Sequence, residues 1–400
     1  MKVVLTSSGR FHSFEMARQL ERRCALEAIF SGYPLFKLRN EPEVFDKIRT
    51  FPYYQTVNMA LVRYHTPERM RVFLSWVALE AIDKHVAKRL PPCDAFVALS
   101  SVGLYTARVA KERGAAYACD RGSAHIGVQK ELVEREYPFY GLSPRGFDPR
   151  IVEKELAEYK LADAIFTPST FAMRTFVEQG IPESRLAYAP YGVDLTNFQP
   201  VAEPDPDRFD VLFVGIVHVR KGIRFLLSAF RNIDHPNKHL TLVGRVEDDI
   251  RPWIEREIRD LPVTLTGRMP QDALKEHMSR AHVMVLPSVE DGFGMVISQA
   301  MACACPVIAS DQTGGPDVID DNVEGFIFKS GDVEALTHYL RLIAKDPGLR
   351  TRLSVAARSR VVKAGGWDDY GETVYAHLER MTAHNETGSV NHQASAIRDL

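Results

Sequence analysis

Cysteine is scarce in this chain: five among 400 residues, an odd number, at Cys24, Cys93, Cys119, Cys303 and Cys305. That excludes a small disulfide-stapled scaffold, and the one close pair, Cys303 and Cys305, has no neighbouring His or further Cys to complete a zinc site. The thiols read as buried groups in a reducing compartment. Excess charge of either sign is also missing. Fifty Lys and Arg face 52 Asp and Glu, a formal charge of -2, so a polyanion-binding surface has no electrostatic basis and no nucleic-acid partner is expected. Long hydrophobic runs are absent too: the most apolar stretch, 72–82, still contains Ser75 and Glu80 and is far short of a membrane span. Met1-Lys2-Val3-Val4-Leu5 enters an apolar run at once without a basic-then-apolar leader, and a cytoplasmic location is the expectation.

What is present is ordinary globular composition, 45% apolar and 26% charged, over a length that suits two domains better than one core. Residues 2–6 form a short β-rich run, then Ser7-Ser8-Gly9-Arg10, then a helical pattern from Ser13, a candidate N-cap, with Phe14, Ala17 and Leu20 at helical spacing. Short apolar runs at 95–99, 115–119, 164–168 and 186–190 extend this strand–turn–helix series. The stretch 200–208, three prolines and three acids in nine residues, reads as a linker. A second series follows, with strands at 210–215, 240–244, 263–266, 283–287, 307–310 and 325–328 and helices at 222–231, 270–280, 294–303 and 332–346. The fold class is therefore α/β, two Rossmann-like doubly wound domains facing across a cleft. Their expected limits are 1–199 and 209–366, with a closing helix at 367–383 and a polar, mobile tail at 384–400. The first half carries 27 basic and 23 acidic residues, the second 23 and 29. Residues 35–75 show no sustained period.

Two segments carry chemistry. In Pro287-Ser288-Val289-Glu290-Asp291-Gly292-Phe293-Gly294, a strand ends and a helix begins near Gly294, so the glycines allow close backbone approach and free amides suit a phosphate. Alone, this is equally a tight turn with acids as caps. Gln299 follows in the helix, where it reaches a sugar hydroxyl or simply solvent. In Val214-Gly215-Ile216-Val217-His218-Val219-Arg220-Lys221-Gly222, two cations sit at the carboxyl end of the second domain's first strand. There they can clamp a diphosphate and stabilise charge on a leaving phosphate. A basic pair at a helix start without an anion opposes the helix dipole.

Taken in order, these segments resemble the glycosyltransferases of the GT-B fold, most closely the large retaining family 4. The likeness is strongest over 211–330 and extends to Ser8-Gly9, Glu158 to Asp163, Pro168-Ser169 and Tyr191-Gly192-Val193-Asp194. The resemblance implies transfer of a sugar from a nucleotide-diphosphate sugar, with UDP the expected nucleotide, to a hydroxyl acceptor such as a glycan, lipid-linked glycan or small molecule. It implies retention of configuration, no metal and no other cofactor, with the leaving phosphate itself as the base. By the same likeness, Arg220 and Lys221 stabilise the departing diphosphate. Gly9, Arg268, Glu290, Asp291, Gly292, Phe293, Gly294 and Gln299 bind the donor, and Asp120 or His125 orients the acceptor hydroxyl. The chain departs from the family pattern of two Glu around the turn. Asp291 and Gln299 stand there, with Glu290 beside Asp291 able to share the first acid's role, and Ile216 stands where the family has Arg. Gln still pairs with ribose hydroxyls.

Two other readings share the architecture: a nucleotide-sugar epimerase, which needs no acceptor, and a non-catalytic nucleotide-sugar binding protein. A nicotinamide dehydrogenase is disfavoured, because Ser7 to His12 supplies no G-x-G-x-x-G. Asp205-Pro206-Asp207 matches a metal motif in letters but falls in the linker. Arg18, Arg22, Arg23, Lys37 and Arg39 offer a basic face for an anionic membrane, although a solvated helix face is the simpler reading. Trp367 is expected to anchor packing.

Overall fold

The computed structural model describes residues 1–57 and 68–396. Among these, seven parallel strands form the first sheet: β1 (Val3–Ser7), β2 (Leu26–Ser31), β3 (Ile48–Thr50), β4 (Ala95–Leu99), β5 (Ala116–Asp120), β6 (Ala164–Thr167) and β7 (Leu186–Tyr188), in the order β3-β2-β1-β4-β5-β6-β7. Six more form the second: β8 (Phe209–Val214), β9 (Lys238–Val243), β10 (Val263–Gly267), β11 (Val283–Leu286), β12 (Val307–Ser310) and β13 (Gly325–Phe328), in the order β10-β9-β8-β11-β12-β13. Each order reverses beside its first strand, between β1 and β4 and between β8 and β11. The crevice at such a reversal is where open α/β sheets bind ligands.

The inner strands are buried on both faces. Val3 and Leu5 pack into one cluster of the first domain and Val4 into the other, as the two-residue strand period requires. Parallel strands covered by helices read as continuous apolar runs, which is why most were visible in sequence. The unread region holds β3, reached from β2 by turns at Leu35–Leu38 and Pro42–Lys47, and the start of the helix Glu68–Ala87. Residues 58–67 of that region lie outside the described residues. Ser13 is not a cap. It is the first residue of the helix Ser13–Arg22, and His12 occupies the cap position without a side-chain cap bond, because its ring is turned to Asp120.

The closing segment crosses back as expected. In the helix Trp367–Ala396, Tyr370, Val374 and Leu378 are buried in the cluster that also contains Val3, Leu5 and Phe14 of the first domain. Gln19 and Arg22 donate to Asp368 at 2.8 and 2.9 Å. The helix passes the sequence boundary at 383, and 397–400 lie outside the described residues. Trp367 packs on Tyr191 and Tyr370, with ring centroids 6.3 and 5.3 Å away. Gly192, before the linker, and Gly366, before the closing helix, touch backbone to backbone: a Cβ on Gly192 would lie 2.4 Å from the Gly366 carbonyl.

The first domain also reaches into the second. Val133, Tyr137 and Tyr140 belong to the second domain's core cluster. Tyr140 meets Trp253 edge-on at 4.6 Å, Arg224 donates to Glu136 at 2.7 Å, and Arg145 pairs with Asp249 at 3.3 Å. This arm, around 133–147, was read as plain first-domain chain in sequence. The basic face is neutralised in part: Arg18 pairs with Glu15 and Glu41 and Arg22 with Glu43 and Asp368, whereas Arg23 hydrogen-bonds the neutral Gln19 and Lys37 and Arg39 stay exposed. Asp205 and Asp207 are exposed in the linker. No described helix is long and apolar enough to cross a membrane.

Because Leu378 is fully buried against the first domain, Leu378→Ala is expected to lower stability by about 2–5 kcal/mol. Urea unfolding followed by intrinsic fluorescence measures this.

Candidate active site

The turn after β8 is built by its neighbours. Gly222 has φ +64°, and a Cβ there would lie 1.9 Å from the Pro287 carbonyl oxygen, so only glycine lets this turn sit on the end of β11. Val289 N–H donates to the Arg220 carbonyl at 2.9 Å, tying the turns after β8 and β11 together. The His218 ring caps the short turn Val219–Lys221, its Nδ1 accepting from Arg220 N–H at 3.2 Å, with the Tyr137 hydroxyl of the first-domain arm 3.4 Å from its Nε2. Burial pushes His218 down to about 4.

Arg220 and Lys221 are thereby set against the two acids of the next turn. Arg220 Nη1 donates to Glu290 Oε2 at 3.0 Å, and Lys221 Nζ pairs with Asp291 Oδ2. Burial lowers the Lys221 ammonium below its ordinary value against the pull of Asp291. Glu290 is fully buried and bridges the domains. Its Oε1 accepts from Ser123 Oγ at 2.6 Å and Ala124 N–H at 3.0 Å, and its Oε2 accepts from Gln129 Nε2 at 2.8 Å as well as Arg220. Burial raises the carboxyl, but Arg220 and then these hydrogen bonds outweigh it and hold Glu290 at about 2.

The first-domain wall is equally constrained. Arg121 is buried and donates to the Ala124 carbonyl, Ser100 Oγ and Gln129 Oε1, with Glu155 2.9 Å away. Glu158, buried below, accepts the backbone N–H groups of Ser101, Gly103 and Leu104, and burial, with Glu155 adding to it, pushes it up to about 8. These carboxylates fix the loops after β4 and β5. Gly122 and Gly292, from opposite domains, meet with no room for a side chain: a Cβ on Gly292 would lie 2.1 Å from the Gly122 carbonyl oxygen. Ser169 Oγ donates to the Gly292 carbonyl, and the Tyr188 hydroxyl and Thr170 N–H both donate to Asp317 at 3.0 Å.

Of the residues singled out by sequence, Arg220, Lys221, Glu290, Asp291, Gly292, Phe293 and Gly294 stand together at this domain contact. Gly294 has φ +75°, and Phe293 is buried edge-on to Tyr191 at 5.4 Å. The helix expected at 294–303 is Val296–Ala302, and half-buried Gln299 lies within it. Gly9 sits in the loop after β1, its carbonyl accepting from Ser7 Oγ at 3.0 Å. Arg268 is exposed after β10, two strands from β8, and makes none of these contacts. His125 turns inward: its Nδ1 caps the helix Ile126–Glu134, its ring lies 5.2 Å from both Tyr159 and Phe176, and burial, with Arg121 adding to it, lowers it to about 4. Asp120 ends β5 and pairs with His12, Nε2 to Oδ2 at 2.6 Å. Sequence reasoning passed over His12, Ser123, Gln129 and Tyr191 as participants. The available signal was placement, since each lies on or just after a loop at the carboxyl edge of a first-domain strand. Among the described residues, no group of three or more His, Cys, Asp or Glu is placed to hold a metal ion.

The low value of Glu290 means that its charge stabilises the fold above its ordinary value of 4.5, and that this contribution is lost as pH falls through about 2. Glu290→Ala, which leaves Arg220 without its buried partner, is expected to cost about 3–5 kcal/mol at pH 7. The gap from wild type should narrow as pH falls from 4.5 towards 2, as read by denaturant unfolding at several pH values.

Residues 196–360 match the family model described as Glycosyl transferases group 1. Over 185 residues the chain is 28% identical to the sulfoquinovosyl transferase SQD2 of Arabidopsis thaliana, covering 43% of this chain and 36% of that protein. Over 218 residues it is 29% identical to an alpha-maltose-1-phosphate synthase of Mycolicibacterium smegmatis, covering 48% of this chain and 56% of that one. The matches thus span between about a third and a little over half of these relatives' length. Among solved structures, the sucrose-phosphate synthase of Thermosynechococcus elongatus superposes with a TM-score of 0.72 at 21% identity, over 96% of this chain and all of that one. HepE of Anabaena in complex with UDP-glucose gives 0.68 at 15% identity, over 95% of this chain and all of that one. At such identities the likeness lies in the fold, two α/β domains in the GT-B arrangement. Residues 196–360, most of the second domain, are thus similar to the group 1 glycosyl transferases.

Proposed function

We propose that this chain transfers a sugar from a nucleotide-diphosphate sugar to a hydroxyl acceptor, with retention of anomeric configuration and without a metal. The observation that carries the reading is the Arg220–Lys221 pair, held on the turn after β8 at the domain contact and faced by Glu290 and Asp291. Two cations at a sheet's reversal point, in a site largely closed to water, are worth most where negative charge grows. In sugar transfer that place is the diphosphate as the bond to the anomeric carbon breaks. The family match over 196–360 covers this turn and its partners.

The donor's diphosphate would compete with Asp291 for Lys221, while Glu290, engaged on both oxygens, keeps Arg220 in place. Phe293 and Gly294 would line the donor, and Gln299 would bond the ribose. Uridine is the nucleotide to try first, since HepE was solved with UDP-glucose. The names of the relatives span a sulfoquinovosyl transferase and an alpha-maltose-1-phosphate synthase, so the acceptor is defined here only as a hydroxyl compound, carbohydrate or lipid-linked. Contact with the inner face of a membrane would rest on Arg23 and the exposed Lys37 and Arg39.

A thermal-shift screen against nucleotide sugars should single out one donor, because a ligand bound only by the folded state stabilises in proportion to its affinity. With that donor, Lys221→Ala is expected to lower kcat on the order of 100-fold or more, while chelation with EDTA leaves turnover unchanged. The product's anomeric configuration, read by proton NMR, tests retention. Turnover of donor to a new sugar nucleotide without acceptor would identify an epimerase instead.

A further inference from the structure

We infer that an uncharged sugar, a mono- or disaccharide, binds in a cavity where the two domains join, apart from the cleft and independently of the donor reading. The cavity, about 510 Å³, falls in the size range of small-molecule sites. Its walls come from both domains. Tyr188 ends β7, Ser298 lies in the helix Val296–Ala302, Asp317 and Val318 follow β12, and Thr373 belongs to the closing helix. Gly192 and Gly366, whose backbones touch, are also among its walls, whereas Arg220, Lys221, Glu290, Asp291 and Gln299 are not. Tyr191 stands between the two sites: it lines the cavity and meets Phe293 of the donor-side turn edge-on at 5.4 Å.

Polar groups in these walls have bonding capacity to spare. Ser298 is only 4% exposed, yet among the described residues neither its Oγ nor the Thr373 Oγ1 makes a hydrogen bond. Buried polar side chains nearly always find a partner, so an unpartnered hydroxyl on a cavity wall points to an occupant that supplies one. Asp317 adds acceptor sites. Its Oδ1 takes the Tyr188 hydroxyl and Thr170 N–H at 3.0 Å each, which leaves Oδ2 with only a 3.3 Å contact to the same N–H. The cavity thus offers hydroxyls and a carboxylate from three separate elements to one ligand.

The chemistry of the walls selects the class. Arg360 and Lys363 are balanced by Asp317 and Asp369, so an ion of either sign meets as much repulsion as attraction. A hydrocarbon would leave the hydroxyls and carboxylates without partners. Tyr188, Pro190, Val318 and Val361 nevertheless give the cavity an apolar side. An uncharged ligand with hydroxyls around its rim and apolar ring faces satisfies both sets of groups, and that is a sugar ring. Seated there, it touches both domains beside the Gly192–Gly366 contact.

Saturation-transfer NMR of the full chain with glucose, maltose and sucrose tests the assignment, with affinities from calorimetry. At least one of these sugars is expected to bind saturably. Ser298→Ala and Thr373→Val should each weaken it about 2- to 10-fold. Their unfolding midpoints without sugar should not fall, since neither hydroxyl gives up a protein partner. Ala364→Trp, which fills the cavity from an exposed position on its wall, should abolish binding. Lys221→Ala, in the cleft, should leave it within about twofold. Failure of all the sugars to bind overturns the inference. So does binding that survives Ala364→Trp or is lost in Lys221→Ala, which places the sugar in the cleft. Tighter binding of glucose 6-phosphate or toluene at the site that Ala364→Trp blocks overturns the ligand class. None of these readouts needs turnover, so a chain that binds sugar here and transfers none loses the transferase reading and keeps this one.

Discussion

A single buried carboxylate organises the cleft. Glu290 accepts four hydrogen bonds, three from the loop and helix 123–129 of the first domain and one from Arg220 of the second. A carboxylate out of water is tolerated only with such full satisfaction. Once it is in place, the cationic turn after β8, the glycine turn after β11 and the first-domain loop after β5 have little freedom relative to one another. Glu290 is thus a strut between the walls, whereas Asp291 pairs, among the described residues, with Lys221 alone, and on the proposed reading it is the acid whose place an incoming diphosphate would contest.

Around this strut the structure divides the labour between rigid and exchangeable contacts. The first-domain arm wedges Tyr137 and Tyr140 into the second domain's core and, through Tyr137 and His218, bears on the very turn that carries Arg220. Arg121, Glu155 and Glu158 direct their hydrogen bonds to loop geometry rather than to solvent. Against that background the Lys221–Asp291 pair is the contact with the fewest other ties.

The sheets were legible because parallel strands covered on both faces leave apolar runs that need no alignment to see, and the linker because three prolines interrupt the pattern. The edge strand β3 and its approach were not, since 35–57 passes through short 3₁₀ turns with no period of 2 or 3.6. On the donor side, local order along the chain is enough: Arg220, Lys221, Glu290 and Asp291 follow strands directly, and two adjacent parallel strands bring their turns together. The first-domain wall depends on long-range pairing. His12 and Asp120 are 108 residues apart, and only the adjacency of β1, β4 and β5 makes them neighbours, so sequence named Asp120 and His125, which share one local segment, and passed over His12. Glu290 was taken as a donor ligand because nothing local reveals that Ser123, Ala124 and Gln129 already occupy its oxygens.

The contact between Gly192 and Gly366 has a mechanical meaning. The chain passes between the domains twice, once into the linker and once back into the closing helix, and the two passages touch at these glycines with no side chain between them. A polypeptide that crosses twice at one place behaves as a pin rather than a tether: it permits turning about that spot and resists sliding or separation. A break in either strand would still leave the halves joined by the other, so the cleft keeps its alignment by connectivity as well as by contact.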